Sequence, residues 1–140
     1  MRMMFSTARH FSTSRLVTKH RGGSGSEGWL RRHVKDKYVQ QSSAENYRAR
    51  SAYKLLEMNK TCRILRRGVT VVECGAAPGA WTQVATARVG EEGLVVSCDL
   101  LDLEPLPGAV MLSGRDFTNP LTWQEIRDVV GQRNIQVVLR

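Results

Sequence analysis

Four short apolar runs punctuate the second half of the chain. Residues 69–74 read Val-Thr-Val-Val-Glu-Cys, 93–98 Gly-Leu-Val-Val-Ser-Cys, 110–112 Val-Met-Leu and 135–139 Ile-Gln-Val-Val-Leu. Runs this short and rich in β-branched residues predict strands buried on both faces, the habit of a parallel sheet. Stretches of helical spacing lie between and before them. Ser43 can act as an N-cap with Glu45 in the first turn, which predicts a helix from Ser43 with an apolar stripe of Ala52, Leu55, Leu56 and Met58. Residues 81–89 predict a helix ended near Gly90. Residues 122–130 predict an amphipathic helix after Asn119-Pro120, where proline suits the first turn. The order strand, helix, strand, strand, helix, strand predicts an α/β fold with a parallel sheet and crossover helices.

The first 43 residues follow a different pattern. Residues 1–21 contain no acid and carry Arg2, Arg9, Arg15, Lys19 and Arg21 among many serines and threonines. That is the composition of a mitochondrial transit peptide, and Arg9-His10-Phe11-Ser12 resembles a matrix-processing pattern. The alternative is a basic tail that binds RNA. Residues 21–28 are a Gly/Ser linker, and residues 29–43 set Arg31, Arg32, His33, Lys35 and Lys37 beside Trp29 and Tyr38. Residues 22–43 thus read as a flexible basic lead-in to a domain over residues 44–140. The net charge of +8 on 140 residues points to a polyanionic partner, most simply nucleic acid. No run of 18 apolar residues exists, so no membrane span is expected. Three cysteines without C-x-x-C spacing argue against a structural zinc site or a disulfide framework. Cys74 and Cys98 read as buried free thiols, at home in a reducing compartment.

The chemistry concentrates at the strand ends. Gly75-Ala76-Ala77-Pro78-Gly79 follows the first strand and precedes a helix. Glycines there let the backbone turn sharply and let a ligand approach, and the helix start presents free N–H groups. The spacing is G-x-x-x-G, not the G-x-G-x-x-G of dinucleotide sites, which disfavours a nicotinamide-dependent oxidoreductase. Asp99 ends the second strand, where an acid can accept hydrogen bonds from ribose hydroxyls; otherwise it is a strand-ending turn residue. Asp116, in Gly114-Arg115-Asp116-Phe117, can accept from an adenine amino group with Phe117 beside the ring, or can simply precede a helix. Together they describe a pocket for an adenosine-bearing ligand. Lys54, taken alone, would be a solvated helix residue.

The stretch Tyr47-Arg48-Ala49-Arg50-Ser51-Ala52-Tyr53-Lys54-Leu55-Leu56-Glu57, followed by Gly75-Ala76-Ala77-Pro78-Gly79-Ala80-Trp81, closely resembles the FtsJ/RrmJ family of ribose 2′-O-methyltransferases. Cys98-Asp99-Leu100-Leu101 and the later Gly-x-Asp-Phe stretch match in order and rough spacing. The resemblance spans about residues 43–140, and the basic start points to the mitochondrial rRNA methyltransferase 2 branch. It implies a Rossmann-like fold, here about four of the usual seven strands. It implies S-adenosyl-L-methionine as cofactor, with contacts at Pro78, Gly79, Ala80, Trp81, Asp99 and Asp116. It implies Lys54 as the first lysine of a catalytic Lys-Asp-Lys set supported by a Glu, and no metal. The substrate it implies is a uridine ribose in mitochondrial large-subunit rRNA or a pre-ribosome, in the matrix.

The sequence departs from that pattern after residue 139. The family's segment carrying the catalytic Asp would follow this strand, and the sequence has Arg140 instead. The expectation is therefore an N-terminal part of the methyltransferase domain, with an open parallel edge, uncovered apolar surface and little methyl transfer by itself. The competing reading from another class is a non-catalytic RNA-binding or ribosome-assembly isoform.

Overall fold

The structure, a computed structural model, describes residues 45–140. The expected transit peptide, the basic lead-in and the Ser43 cap lie outside the described residues. Helix α1 spans Ser51–Cys62, strand β1 Thr70–Cys74, helix α2 Ala80–Val89, strand β2 Leu94–Asp99, strand β3 Ala109–Ser113, helix α3 Pro120–Val130 and strand β4 Val137–Leu139.

All four strands pair in parallel, in the order β3-β2-β1-β4. The alternation along β1 and β2 sorts side chains onto two faces. Val71 and Val95 pack with Ala52 and Leu55 of α1 and Val84, Ala85 and Val89 of α2. Val72, Cys74, Val96 and Cys98 pack on the opposite face beneath Ile126, Val130 and Trp123 of α3. Both faces of β1 and β2 are therefore covered, which is why these strands read as continuous apolar runs. Cys74 and Cys98 are register partners and buried free thiols; burial pushes the Cys98 thiol up to about 12.

Helices α2 and α3 begin and end close to expectation. Asn119 caps α3, its side chain accepting from the Leu121 amide at 2.9 Å, with Pro120 in the first turn. The start of α1 differs from the prediction. Residues 45–50 form turns and bends, Asn46 lies at φ 59°, and the helix starts at Ser51 without a side-chain cap. The cause is tertiary: the Gln83 side chain on α2 accepts from the Arg48 amide at 2.8 Å and donates to the Asn46 carbonyl at 3.0 Å. Those bonds hold the segment off a helical path. Met58, expected in the apolar stripe, is exposed, while Ala52 and Leu55 are fully buried.

Strand β4 lies at the sheet edge beside β1. Its Val138 is paired with Val72 and shares the α3 face, yet remains 58% exposed. No helix among the described residues is long and apolar enough to cross a membrane.

Candidate functional site

The strand order reverses between β1 and β4. Such a switch point leaves a crevice beyond the carboxyl ends of the strands, the place where open α/β sheets bind ligands. A cavity of about 200 Å³ occupies it, walled by Glu73 and Gly75 through Pro78, by Ala80 and Trp81 at the start of α2, and by Ser51 and Arg140.

The glycine loop is fixed by backbone bonds. The Gly75 and Ala76 amides both donate to the Cys98 carbonyl, at 2.9 and 3.2 Å, and the Gly79 amide closes a tight turn onto the Ala76 carbonyl at 2.6 Å. Gly75 sits at φ 78°, and a side chain there would meet nothing within 4 Å, so this part of the loop faces open space. Gly79 sits at φ 100°, and a Cβ there would lie 2.7 Å from Arg48 Nη1. The group nearest that Cβ position is thus an arginine of the protein itself. Gly79 brings no side-chain cap to α2, so first-turn N–H groups remain for a polar ligand.

Asp99 is half-buried at the end of β2. Its Oδ2 accepts the Ala77 amide and its Oδ1 the Leu101 amide, each at 2.8 Å. Each carboxylate oxygen keeps further acceptor capacity, so Asp99 both holds the glycine loop and can still receive hydroxyl donors. Asp116 is exposed in the loop after β3, brought toward β2 by the Arg115 amide, which donates to the Asp99 carbonyl at 2.8 Å. Its Oδ1 accepts the Thr118 hydroxyl at 2.7 Å and the Thr118 amide at 2.8 Å. These two bonds hold its carboxyl below the usual range. Phe117 packs into the apolar cluster under α3 and carries the Arg140 guanidinium 5.0 Å above its ring. Trp81 lines the crevice, but its indole N–H donates to the Ser51 carbonyl at 2.8 Å and ties α2 to the start of α1.

Lys54 does not line this cavity. It is exposed in a neighbouring depression of about 300 Å³ with Arg50, Ser51, Tyr53 and Glu57, and Ser51 borders both hollows. The structure therefore brings Pro78, Ala80 and Trp81 together around the crevice and leaves Gly79, Asp99, Asp116 and Lys54 outside its lining, with Asp99 bonded to the Ala77 amide of the glycine wall.

Two residues escaped the sequence reading. Glu73 is 3% exposed at the crevice floor, accepting the Thr82 hydroxyl at 2.6 Å and the Ser97 hydroxyl at 2.9 Å. Burial raises its pKa, and the two hydroxyl bonds oppose that shift. The alternation that puts Glu73 on the same face as Val71 was the available signal. Arg48 gave no signal, because its partners are 30 or more residues away.

The sequence model of FtsJ-like methyltransferases matches residues 47–140, which contain the whole of this sheet and both walls of the crevice. The chain belongs to the FtsJ-like methyltransferase family. Among relatives of this FtsJ-like chain, the ribosomal RNA large subunit methyltransferase E of Psychrobacter arcticus is 43% identical over 114 residues, covering 81% of this chain and 54% of the relative. The protein of the same name from Azoarcus is 45% identical over 114 residues, covering 81% and 55%. The chain spans about half the length of the curated relatives it matches. A crystal structure of a ribosomal RNA methyltransferase from Plasmodium falciparum superposes with a TM-score of 0.57 at 23% identity, covering 66% of this chain and 54% of that one. At that identity the likeness speaks for the fold. The FtsJ-like assignment agrees with the α/β architecture and parallel four-stranded sheet described above.

Proposed function

We propose that this protein is an S-adenosylmethionine-dependent RNA methyltransferase that modifies a ribose 2′-hydroxyl of ribosomal RNA. The observation that carries the reading is the crevice at the β1/β4 switch point, walled by residues 75–78 with the Ala77 amide bonded to Asp99, in a chain of the FtsJ-like family. The names of the bacterial relatives support ribosomal RNA as the substrate. The finer reading is a uridine of mitochondrial large-subunit rRNA modified in the matrix: the acid-free, Arg-rich residues 1–21 support the compartment, and the uridine is what the resemblance to the mitochondrial branch implies.

The residues present fit the cofactor. Asp99 has free acceptor capacity for ribose hydroxyls, the open face at Gly75 admits a ligand against the backbone, and the α2 start offers N–H groups to a carboxylate. When bound, S-adenosylmethionine supplies a methyl group already activated by a sulfonium. The protein's task is then to hold a ribose hydroxyl in line with it, about 3 Å away, which is catalysis by proximity. Lys54, one helical turn beyond Ser51 at the crevice rim, is the candidate to orient that hydroxyl or take its proton. The surrounding arginines and lysines would contact phosphates and make binding salt-dependent.

The test is transfer of labelled methyl from S-adenosylmethionine to ribosomal RNA, followed by alkaline hydrolysis. Ribose 2′-O-methylation protects the adjacent phosphodiester, so label in alkali-stable dinucleotides supports the proposal. Label in free mononucleotides would mean base methylation and contradict it. Salt-dependent RNA binding with no transfer would favour a non-catalytic RNA-binding role.

A further inference from the structure

Resting on the cofactor reading of the crevice, we infer that Arg48 is a positioning residue, a clamp that fixes the glycine loop against the loop after β2 and so sets the shape of the adenosine site. One guanidinium holds three backbone carbonyls. Nη1 donates to the Pro78 carbonyl at 3.2 Å and to the Glu104 carbonyl at 3.0 Å, and Nη2 donates to the Pro105 carbonyl at 3.0 Å. Pro78 lies on the crevice wall, and residues 104–105 belong to the loop that leaves β2 directly after Asp99. The planar fork of an arginine can serve carbonyls in two directions at once, which a lysine ammonium on a flexible stem does poorly.

Three further features support the assignment. The Arg48 side chain is only 18% exposed, unlike a cation left to solvent. Its backbone is anchored, because the Gln83 side chain accepts from the Arg48 amide and donates to the Asn46 carbonyl, so the guanidinium starts from a fixed base. Gly79 accommodates it: a Cβ there would collide with Nη1. The Glu104 carboxylate contributes little, lying 3.9 Å from Nη2 and 88% exposed. The clamp therefore works through backbone carbonyls, not through an ion pair.

The experiment uses the full chain, with S-adenosylhomocysteine as the calorimetric probe and hydrogen exchange read over residues 75–79 and 100–106. Arg48→Lys keeps the charge and loses the fork. It is expected to weaken S-adenosylhomocysteine by about tenfold or more, through lost preorganisation. Exchange should rise in both loops, with α3 unchanged and RNA affinity retained. Glu104→Ala keeps the carbonyl, and is expected to leave probe affinity within about twofold. If the wild-type chain binds the probe and Arg48→Lys binds it equally well, the positioning role is wrong. If Arg48→Lys weakens RNA binding and spares the probe, Arg48 is an RNA contact and the clamp is again overturned. If the wild-type chain does not bind the probe while exchange still depends on Arg48, the cofactor reading has failed, and Arg48 is reduced to a structural tie.

Discussion

The carboxylate of Glu73 and the hydroxyl of Thr82 meet at 2.6 Å beneath the crevice, with Ser97 completing the set at 2.9 Å from the same carboxylate oxygen. The three residues tie β1, α2 and β2 together where the cavity floor forms. Burial makes the charged form of Glu73 costly, and its pKa rises from 4.5 despite the two hydroxyl bonds. Between 4.5 and the raised value, the folded state holds more protons than the unfolded chain. Stability contributed by Glu73 is therefore full below that window, falls as pH rises through it and levels off above. Glu73→Gln cannot titrate. The stability of wild type minus that of Glu73→Gln, measured by urea unfolding across pH, is expected to decline through the window. Parallel pH profiles would show that Glu73 titrates alike folded and unfolded.

Gly79 is constrained twice, by its φ of 100° and by Arg48 Nη1. Gly79→Ala is expected to destabilise the fold, with the backbone strain alone costing about 1–3 kcal/mol. In an Arg48→Ala background the collision is gone and the strain remains, so the cost should be smaller but not zero. A double-mutant cycle by chemical denaturation reads the difference; strict additivity would place the two residues out of contact.

Ile126 is fully buried and joins α3 to Val72, Val96 and the two strand cysteines. Ile126→Ala is expected to cost about 2–5 kcal/mol in urea unfolding, the range for a large core deletion. A loss below about 1 kcal/mol would mean that α3 is not a firm part of the core.

Much of the architecture was legible because it rests on local pattern. The runs around Val71-Val72 and Val95-Val96 read as buried strands, since helices cover both faces. Asn119-Pro120 marked the start of α3 through capping chemistry contained within a few residues. What the sequence hid depends on distant partners. Ser43 and Glu45 formed a plausible helix start, but Gln83 holds residues 46–48 in another conformation and α1 begins at Ser51. The Thr118 turn around Asp116 and the Arg48 clamp were equally invisible, the first because several local readings fit, the second because its acceptors are backbone carbonyls with no side-chain signature.

Lys54 stands apart from the crevice lining, and its proposed role concerns the ribose hydroxyl. In a protein that also carries the family's segment with the catalytic Asp, Lys54→Ala is accordingly expected to lower methyl transfer on the order of 100-fold or more, the scale of a lost proton-transfer group. The affinity for S-adenosylmethionine should stay unchanged. Single-turnover transfer and equilibrium binding separate the two; a parallel fall in both would make Lys54 part of the cofactor site instead.

An adenosyl ligand bound at the glycine loop, as proposed, has its ribose met by Asp99, the acid that ends β2 and is bonded to the Ala77 amide. The most direct measurement is calorimetric titration of S-adenosylhomocysteine into the full chain and into Asp99→Asn, with matched thermal melts to show that both are folded. Saturable binding by the wild type, weakened by about tenfold or more in Asp99→Asn, is the predicted result, the scale of lost hydrogen bonds to a charged acceptor. Absence of binding by the folded wild-type chain, or equal affinity in the two proteins, would contradict it.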